Sequence, residues 1–256
     1  MSYPTPIDVA RGIARGCRAI HKFGQNSAVD STFRPVAPGG IYRTPQPSGA
    51  TALRAKAGGS ALNITGSSGA WQVTLIGLDP NGYEITDTIT MNGASASAPT
   101  SLQFIRLFRA YVSQSGTYAT VLAGSHVGAI TIENAAGTED WTTIQDTTIA
   151  RGQSQIAVYS VPRNKSVIIT GMNISCEADK HANIVLLQRQ NILQTSPPYS
   201  AIRILEEFPE SAGLNDITFA APIGPIPELT DIGFMARATA STIDVTVSFD
   251  MLEFIP

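Results

Sequence analysis

From Ala70 to Gly93 the chain carries two alternating arms around a turn, a pattern that leaves little choice but a β-hairpin. The first arm reads Ala-Trp-Gln-Val-Thr-Leu-Ile-Gly-Leu. In the second, Tyr83, Ile85, Ile89 and Met91 share one face and Glu84, Thr86, Thr88 and Thr90 the other, which is the period of two of a half-buried strand. Only Asp87 interrupts the apolar side. Between the arms, Asp79-Pro80-Asn81-Gly82 offers one residue with a preset turn φ and one that accepts a positive φ. The chain closes on the same rhythm: Ile243, Val245, Val247, Phe249 and Met251 alternate with Thr242, Asp244, Thr246, Ser248 and Asp250, so one face of this last strand is expected to meet a core.

Composition agrees with many short strands joined by turns. Charged residues make up 14%, and 22 Gly and 16 Pro stand among abundant Thr, Ser, Val and Ile. A chain of 256 residues has room for one large or two small domains, and two is the reading adopted. The net charge of −3 is unevenly placed: residues 1–60 carry eight Lys/Arg against two Asp/Glu, the remainder nine against eighteen. That balance argues against a nucleic-acid binder and gives the first segment a charge suited to an acidic partner. Cys17 and Cys176 are too few and too far apart for a disulfide framework and read as free thiols. No apolar run reaches the roughly 18 residues needed to cross a bilayer, and no signal-peptide pattern opens the chain, so membrane insertion and export are not expected. The Asn-x-Ser/Thr matches at Asn63, Asn164 and Asn173 carry no weight without such a signal.

Three segments follow from the punctuation. Residues 1–57, with Pro4, Pro6, Pro35, Pro38, Pro45 and Pro47 and the pair Gly39-Gly40, read as an extended N-terminal anchoring arm. Within it a short helix over Ile7–Ile20 would align Ile7, Ala10, Ile13, Ala14 and Cys17, with Arg11, Arg15 and Arg18 beside them. Residues 58–150 read as a first β-sandwich, with strands at 61–65, in both arms of the hairpin, at 102–112, 127–133 and 141–149. The aromatic residues and flanking turns of 102–112 favour a strand there over a short helix. Residues 151–256 read as a second sandwich, with strands at 155–161, 166–175, 183–189, 232–238 and 242–251. Between Gln194 and Pro227 six prolines and Glu206, Glu207 and Glu210 imply a long connection or an edge-strand region.

Chemistry-bearing patterns are sparse. His21, His126 and His181 lie far apart, and Cys176-Glu177-Ala178-Asp179-Lys180-His181 reads as a polar turn with no metal-ligand spacing. Gly66-Ser67-Ser68-Gly69 is too short for a nucleophile elbow and precedes a strand where that elbow needs a helix. The three glutamates, which could supply paired carboxylates for sugar chemistry, share one Pro-bounded stretch and read as a solvated loop. No phosphate-binding Gly-rich loop is present, and no catalytic residue, metal or cofactor is implied. The one charge feature of interest is the basic face of Arg11, Arg15, Arg18 and Lys22, which either is solvated or anchors the chain to an acidic surface. With His21 and Phe23 these residues form the candidate interface.

Several motifs resemble virion structural proteins of tailed bacteriophages. His21-Lys22-Phe23-Gly24-Gln25-Asn26 followed by Val29-Asp30 is similar to a "HKFGxN…D" opening of such proteins. Ile76-Gly77-Leu78-Asp79 with Glu84 through Gly93 resembles a "GLD…TITMNG" hairpin, continued by Phe104-Ile105-Arg106 and by Ala129-Ile130-Thr131-Ile132. Tyr159-Ser160-Val161-Pro162-Arg163-Asn164-Lys165 resembles the "YxVPxGK" start of a C-terminal sandwich, with Asn164 where Gly is usual. The resemblance implies an all-β chain of two jelly-roll-like sandwiches behind an arm. It also implies a non-enzymatic particle component, assembled in the host bacterial cytoplasm and displayed on the virion in many symmetric copies against other virion proteins. A tail-associated, fibre-like or collar place is preferred, with capsid decoration or cement as the alternative. A carbohydrate-binding module that presents Trp71, Trp141 and Tyr residues to host glycans, and a hydrolase with scattered carboxylates, are the rival classes.

Overall fold

The structure, a computed structural model, describes residues 6–38, 49–118, 124–146 and 151–256. It is all-β, built of small antiparallel sheets. One five-residue helix, α1 (Pro6–Ala10), precedes β1 (Cys17–Val29), β2 (Arg34–Pro35), β3 (Leu53–Ala55), β4 (Ala70–Leu78), β5 (Glu84–Thr90), β6 (Arg106–Ser115), β7 (Ile130–Asn134) and β8 (Asp140–Ile144). There follow β9 (Val158–Ser160), β10 (Ser166–Cys176), β11 (Ala182–Arg189), β12 (Arg203–Ser211), β13 (Leu214–Ile226), β14 (Asp231–Ala238) and β15 (Ile243–Phe254). Two compact units result, the first of Met1–Val36, Ala157–Ile192 and Pro198–Pro256, the second of Ala37–Ile156 and Leu193–Pro197.

The first unit holds a sheet of order β1-β15-β10-β13 and a sheet of order β12-β11-β14-β2, with β9 also on β14. Its organising strand is β15, whose Ile243, Val245, Val247, Phe249 and Met251 are all buried, as the alternation predicts. Each such side chain contributes roughly 1.5–3 kcal/mol on burial. Phe249 meets Phe234 of β14 with ring centroids 5.2 Å apart, so residues of both sheets share this core.

Residues 17–36 depart from the expected arm. Cys17–Val29 is a strand paired antiparallel with β15, from Cys17 opposite Phe254 to Val29 opposite Ile243, and Arg34–Pro35 pairs with β14. The expected helix over Ile7–Ile20 shrinks to α1, because Gly12 and Gly16 take φ of +70° and +75° and the backbone then extends. β1 escaped recognition because its inward positions are Lys22, Gly24 and Asn26, which no apolar alternation would flag. Asn26 donates to the Pro35 carbonyl at 3.0 Å and accepts from Ala28 N at 2.9 Å, fixing the bulged end of the strand.

Asp30 closes the turn that follows, accepting from Thr32 N at 2.8 Å and from Arg34 at 3.0 Å. The Arg34 hydrogen bond, with help from Thr32 N, lowers its pKa from 3.8 to about 2. A carboxyl depressed in this way lends stability that is complete above its ordinary value and is lost as pH falls toward 2. An NMR titration of Asp30 is expected to show a midpoint near 2 that returns toward the ordinary range in Arg34→Ala; a midpoint indifferent to that substitution would contradict the assignment.

The second unit holds sheets β3-β7-β8 and β5-β4-β6. Leu53, Val73, Leu75, Ile89, Phe104, Leu107, Ile130, Ile132, Trp141 and Ile144, drawn from both sheets and the loop before β6, form its core. The β4–β5 hairpin forms as expected, with Asp79 accepting from Asn81 N and Tyr83 N, and Gly82 at φ +86°. Asp87 does not spoil the apolar face. Burial pushes its carboxyl up, but hydrogen bonds from Leu102 N, Thr88 N and Ser101 outweigh this and hold it below its ordinary value. Strand edges are covered locally: Ser97 and Thr100 side chains accept from Ala55 N and Leu53 N beside β3, and Gly152 and Ser154 run along β6. The strand expected at 61–65 reduces to a single bridge between Ile64 and Asn92, and the end of the one expected at 141–149 lies outside the described residues.

Candidate docking surface

The region between Gln194 and Pro227 holds the most exposed apolar face of the first unit's described strands, Ile202 and Ile204 among it. It forms two edge strands, β12 and β13, one at the end of each sheet of the first unit. β13 is blunted by Pro222 and Pro225, which have no N–H to offer. β12 contains Pro209 and also carries Glu206, Glu207 and Glu210, so the glutamates expected in a loop stand on a strand, all three exposed.

Next to β12, β11 turns Ala182, Ile184 and Leu186 into the core, while Asn183, Val185, Leu187 and Arg189 lie on the other face, with Leu187 itself buried. On its outer side lies a groove of about 480 Å³, formed by Val185 and Leu187 with Met235 of β14, Phe33, Phe208 and the isoleucines of the β12 approach. Ile202 is 45% and Ile204 54% exposed. Glu207 stands on one flank, and on the other the Arg237 guanidinium lies 5.0 Å over the Phe33 ring. The groove can take an apolar segment and offers a carboxylate to a cation beside it.

The expected interface residues are not one surface. Arg11 and Arg15 are exposed in the turns after α1. Arg18 donates to Glu253 at 3.2 Å, His21 Nδ1 lies 2.7 Å from Asp250, Lys22 is buried, and Phe23 is half-buried with its ring 6.0 Å from that of His21. Arg18, His21 and Lys22 therefore serve the unit's own sheet. Glu253, which sequence reasoning passed over, is buried and collects Tyr159 Oη at 2.6 Å, Arg18 and, at 3.7 Å, Lys165. Tyr159 and Lys165 are the outer letters of the "YxVPxxK" motif, and Asn164 between them takes φ +62°, the left-handed geometry for which Gly is usual.

Other candidates resolve into structure. Cys176 through His181 is the connection from β10 to β11, with Lys180 2.6 Å from Glu177, and both cysteines are free. Burial, then the Asp244 charge, pushes the Cys176 thiol up to about 11. Gly66–Gly69 is the turn into β4. Trp141 is buried and offers no face to a sugar, whereas Trp71 is half-buried and donates its indole N–H to the Ser67 carbonyl at 2.7 Å. In the second unit Arg109, Tyr111, Ser125, Arg151 and Gln153 line an open basic cleft, where burial lowers the Arg109 pKa. Among the described residues no cluster of His, Cys, Asp or Glu is arranged to hold a metal ion, and no helix is long and apolar enough to cross a membrane. No family model, curated protein or solved structure matches the chain.

Proposed function

We propose that this chain is a non-enzymatic structural component of a tailed-bacteriophage particle, assembled in the bacterial cytoplasm and held on the virion in many copies by protein–protein docking. The observation that carries the docking role is the groove on the outer side of β11, where Ile202 and Ile204 stand exposed beside the acidic edge strand β12. Obligate assembly surfaces have this character, a strip of core left for a neighbour to cover. The phage context rests on the motif resemblance, and the fold supports the motifs as framework: Gly24, Asn26, Asp30, Asp79, Tyr159 and Lys165 each hold a turn, a close approach or a buried ion pair. Each unit is read as a β-sandwich of the jelly-roll kind, which the two sheets per unit and the cores drawn from both sheets support. A tail-associated place, fibre-like or collar, is preferred over capsid decoration.

The test is fractionation. Particles purified from a lysate of the host that makes this chain, banded in a density gradient and quantified by mass spectrometry, are expected to hold it at a fixed copy number. Recovery of the chain wholly in the soluble fraction would overturn the proposal.

A further inference from the structure

The basic cleft of the second unit lies on the side of the β5-β4-β6 sheet that faces away from the core. Arg109 and Tyr111 flank the buried Ala110 on β6, so the alternation of the strand turns both outward. With Ser125, Arg151 and Gln153 they line an open space of about 570 Å³. Among the described residues that line it, two are guanidiniums and none is a carboxylate. The sheet rows beside it are equally free of acid. Arg109 stands opposite Ile76 and Ile76 opposite Thr86, while Tyr111 stands opposite Thr74 and Thr74 opposite Thr88. Arg151 is exposed and donates to Gln155 Oε1 at 2.6 Å; a guanidinium has five N–H groups, so donors remain for a ligand. Gly152, at φ +69°, brings the backbone close beneath Ser125, where an added Cβ would lie 2.6 Å from the Ser125 hydroxyl oxygen.

We propose that this cleft binds an acidic sugar, with its carboxylate or phosphate held by Arg109 and Arg151 and its hydroxyls by Tyr111, Ser125 and Gln153. The charge selects an anion, and the planar fork of each guanidinium matches carboxylate and phosphate oxygens alike. The volume selects more than a bare ion. A water takes up about 30 Å³, so a cleft of about 570 Å³ has room for the body that carries the charge, and it falls within the range of small-molecule sites. The rest of the lining describes that body. A phenol, a hydroxyl and a carboxamide each donate and accept, as a polyol requires, and Ile76 and Val112 add an apolar patch too small for a lipid chain but suited to the C–H face of a sugar ring. A peptide cannot add to β6 as a strand. That edge is taken by residues 152–154, with Val112 N donating to the Gly152 carbonyl at 2.7 Å and Ser154 N to the Ala110 carbonyl at 2.8 Å. The proposal goes beyond the particle role and depends on neither the β11–β12 groove nor the place of the chain on a virion.

Four probes test it on the full-length chain by NMR titration: glucuronate, glucose 6-phosphate, glucose and inorganic phosphate. Both anionic sugars are expected to shift the amides of Tyr111, Ser125 and residues 151–153 in a saturable way. Glucose, which lacks the charge, and inorganic phosphate, which lacks the ring, are each expected to bind roughly tenfold more weakly or not at all. Arg151→Gln removes an exposed charge without touching the core, and it is expected to weaken binding of both anionic sugars roughly tenfold or more. Arg109→Gln is expected to do the same, with circular dichroism to confirm that it folds; should it not fold, Arg151→Gln decides alone. Three results would overturn the proposal. They are the absence of a saturable shift with either anionic sugar, glucose or phosphate binding as tightly as those sugars, and binding that survives Arg151→Gln unchanged. Fractionation with particles reads none of these, so the proposal and the particle role fail separately.

Discussion

Gly24→Ala is expected to unfold the first unit or to cost it more than about 3 kcal/mol, the upper end of what overpacking does in a core. A Cβ at this position would lie 2.2 Å from Ala157 N and 2.4 Å from Val36 O, and those two atoms are themselves hydrogen-bonded to each other at 3.0 Å. The methyl would enter between the partners of a backbone bond, and neither can rotate away as a side chain could. Breaking that bond in a buried place adds about 1–3 kcal/mol to the steric term. Gly171→Ala is the matched control in the same unit. There the nearest atom to an added Cβ is Ile217 O at 3.4 Å, and the expected cost stays within about 1 kcal/mol. Denaturant titrations of the two variants separate the effects, and equal costs would contradict the close approach at Gly24.

Trp141→Ala is expected to destabilise the second unit by about 3–5 kcal/mol, as loss of a fully packed aromatic does. Trp141 is 2% exposed among Leu53, Leu75, Phe104, Ile132 and Ile144. Its indole nitrogen is buried with no hydrogen-bond partner among the described residues, a penalty that the surrounding packing offsets. Trp141→Phe removes that penalty along with some volume, so its cost should be less than half that of Trp141→Ala. Denaturant unfolding followed by far-UV circular dichroism measures both. Equal losses would show that the indole N–H has a role in the fold.

Where one face of a strand is buried and the other wet, the amino-acid order was enough to find it. The β4–β5 hairpin and β15 are of this kind, because a slip of one residue would turn every apolar side chain outward. β1 was not legible for the opposite reason. Its inward positions are a lysine, a glycine and an asparagine, and its partner strand is more than 200 residues away, so nothing local marks it as part of a sheet. The boundary between units shifted with it, since residues read as an arm belong with the C-terminal strands.

The candidate surface was half visible. The prolines and glutamates between Gln194 and Pro227 announced an edge, yet the groove needs Phe33, β11 and β14 brought beside it, which only the sheet order does. One signal was available: Ile184-Val185-Leu186-Leu187 is an unbroken apolar run where a strand with one wet face would alternate. Conversely, the basic residues expected to act together were split by the strand that carries three of them. Arg18, still exposed, went to Glu253, Lys22 to the interior and His21 to Asp250, which leaves Arg11 and Arg15 exposed in the turns after α1.

The central claim is that this chain works by fitting against neighbours, and an image of the whole particle at side-chain resolution tests it most directly. The account predicts copies of the chain at symmetry-related positions on the tail or shell, with Val185, Ile202 and Ile204 covered by an adjoining protein. Copies whose β11–β12 face lies bare to solvent, or particles that lack the chain altogether, would contradict it.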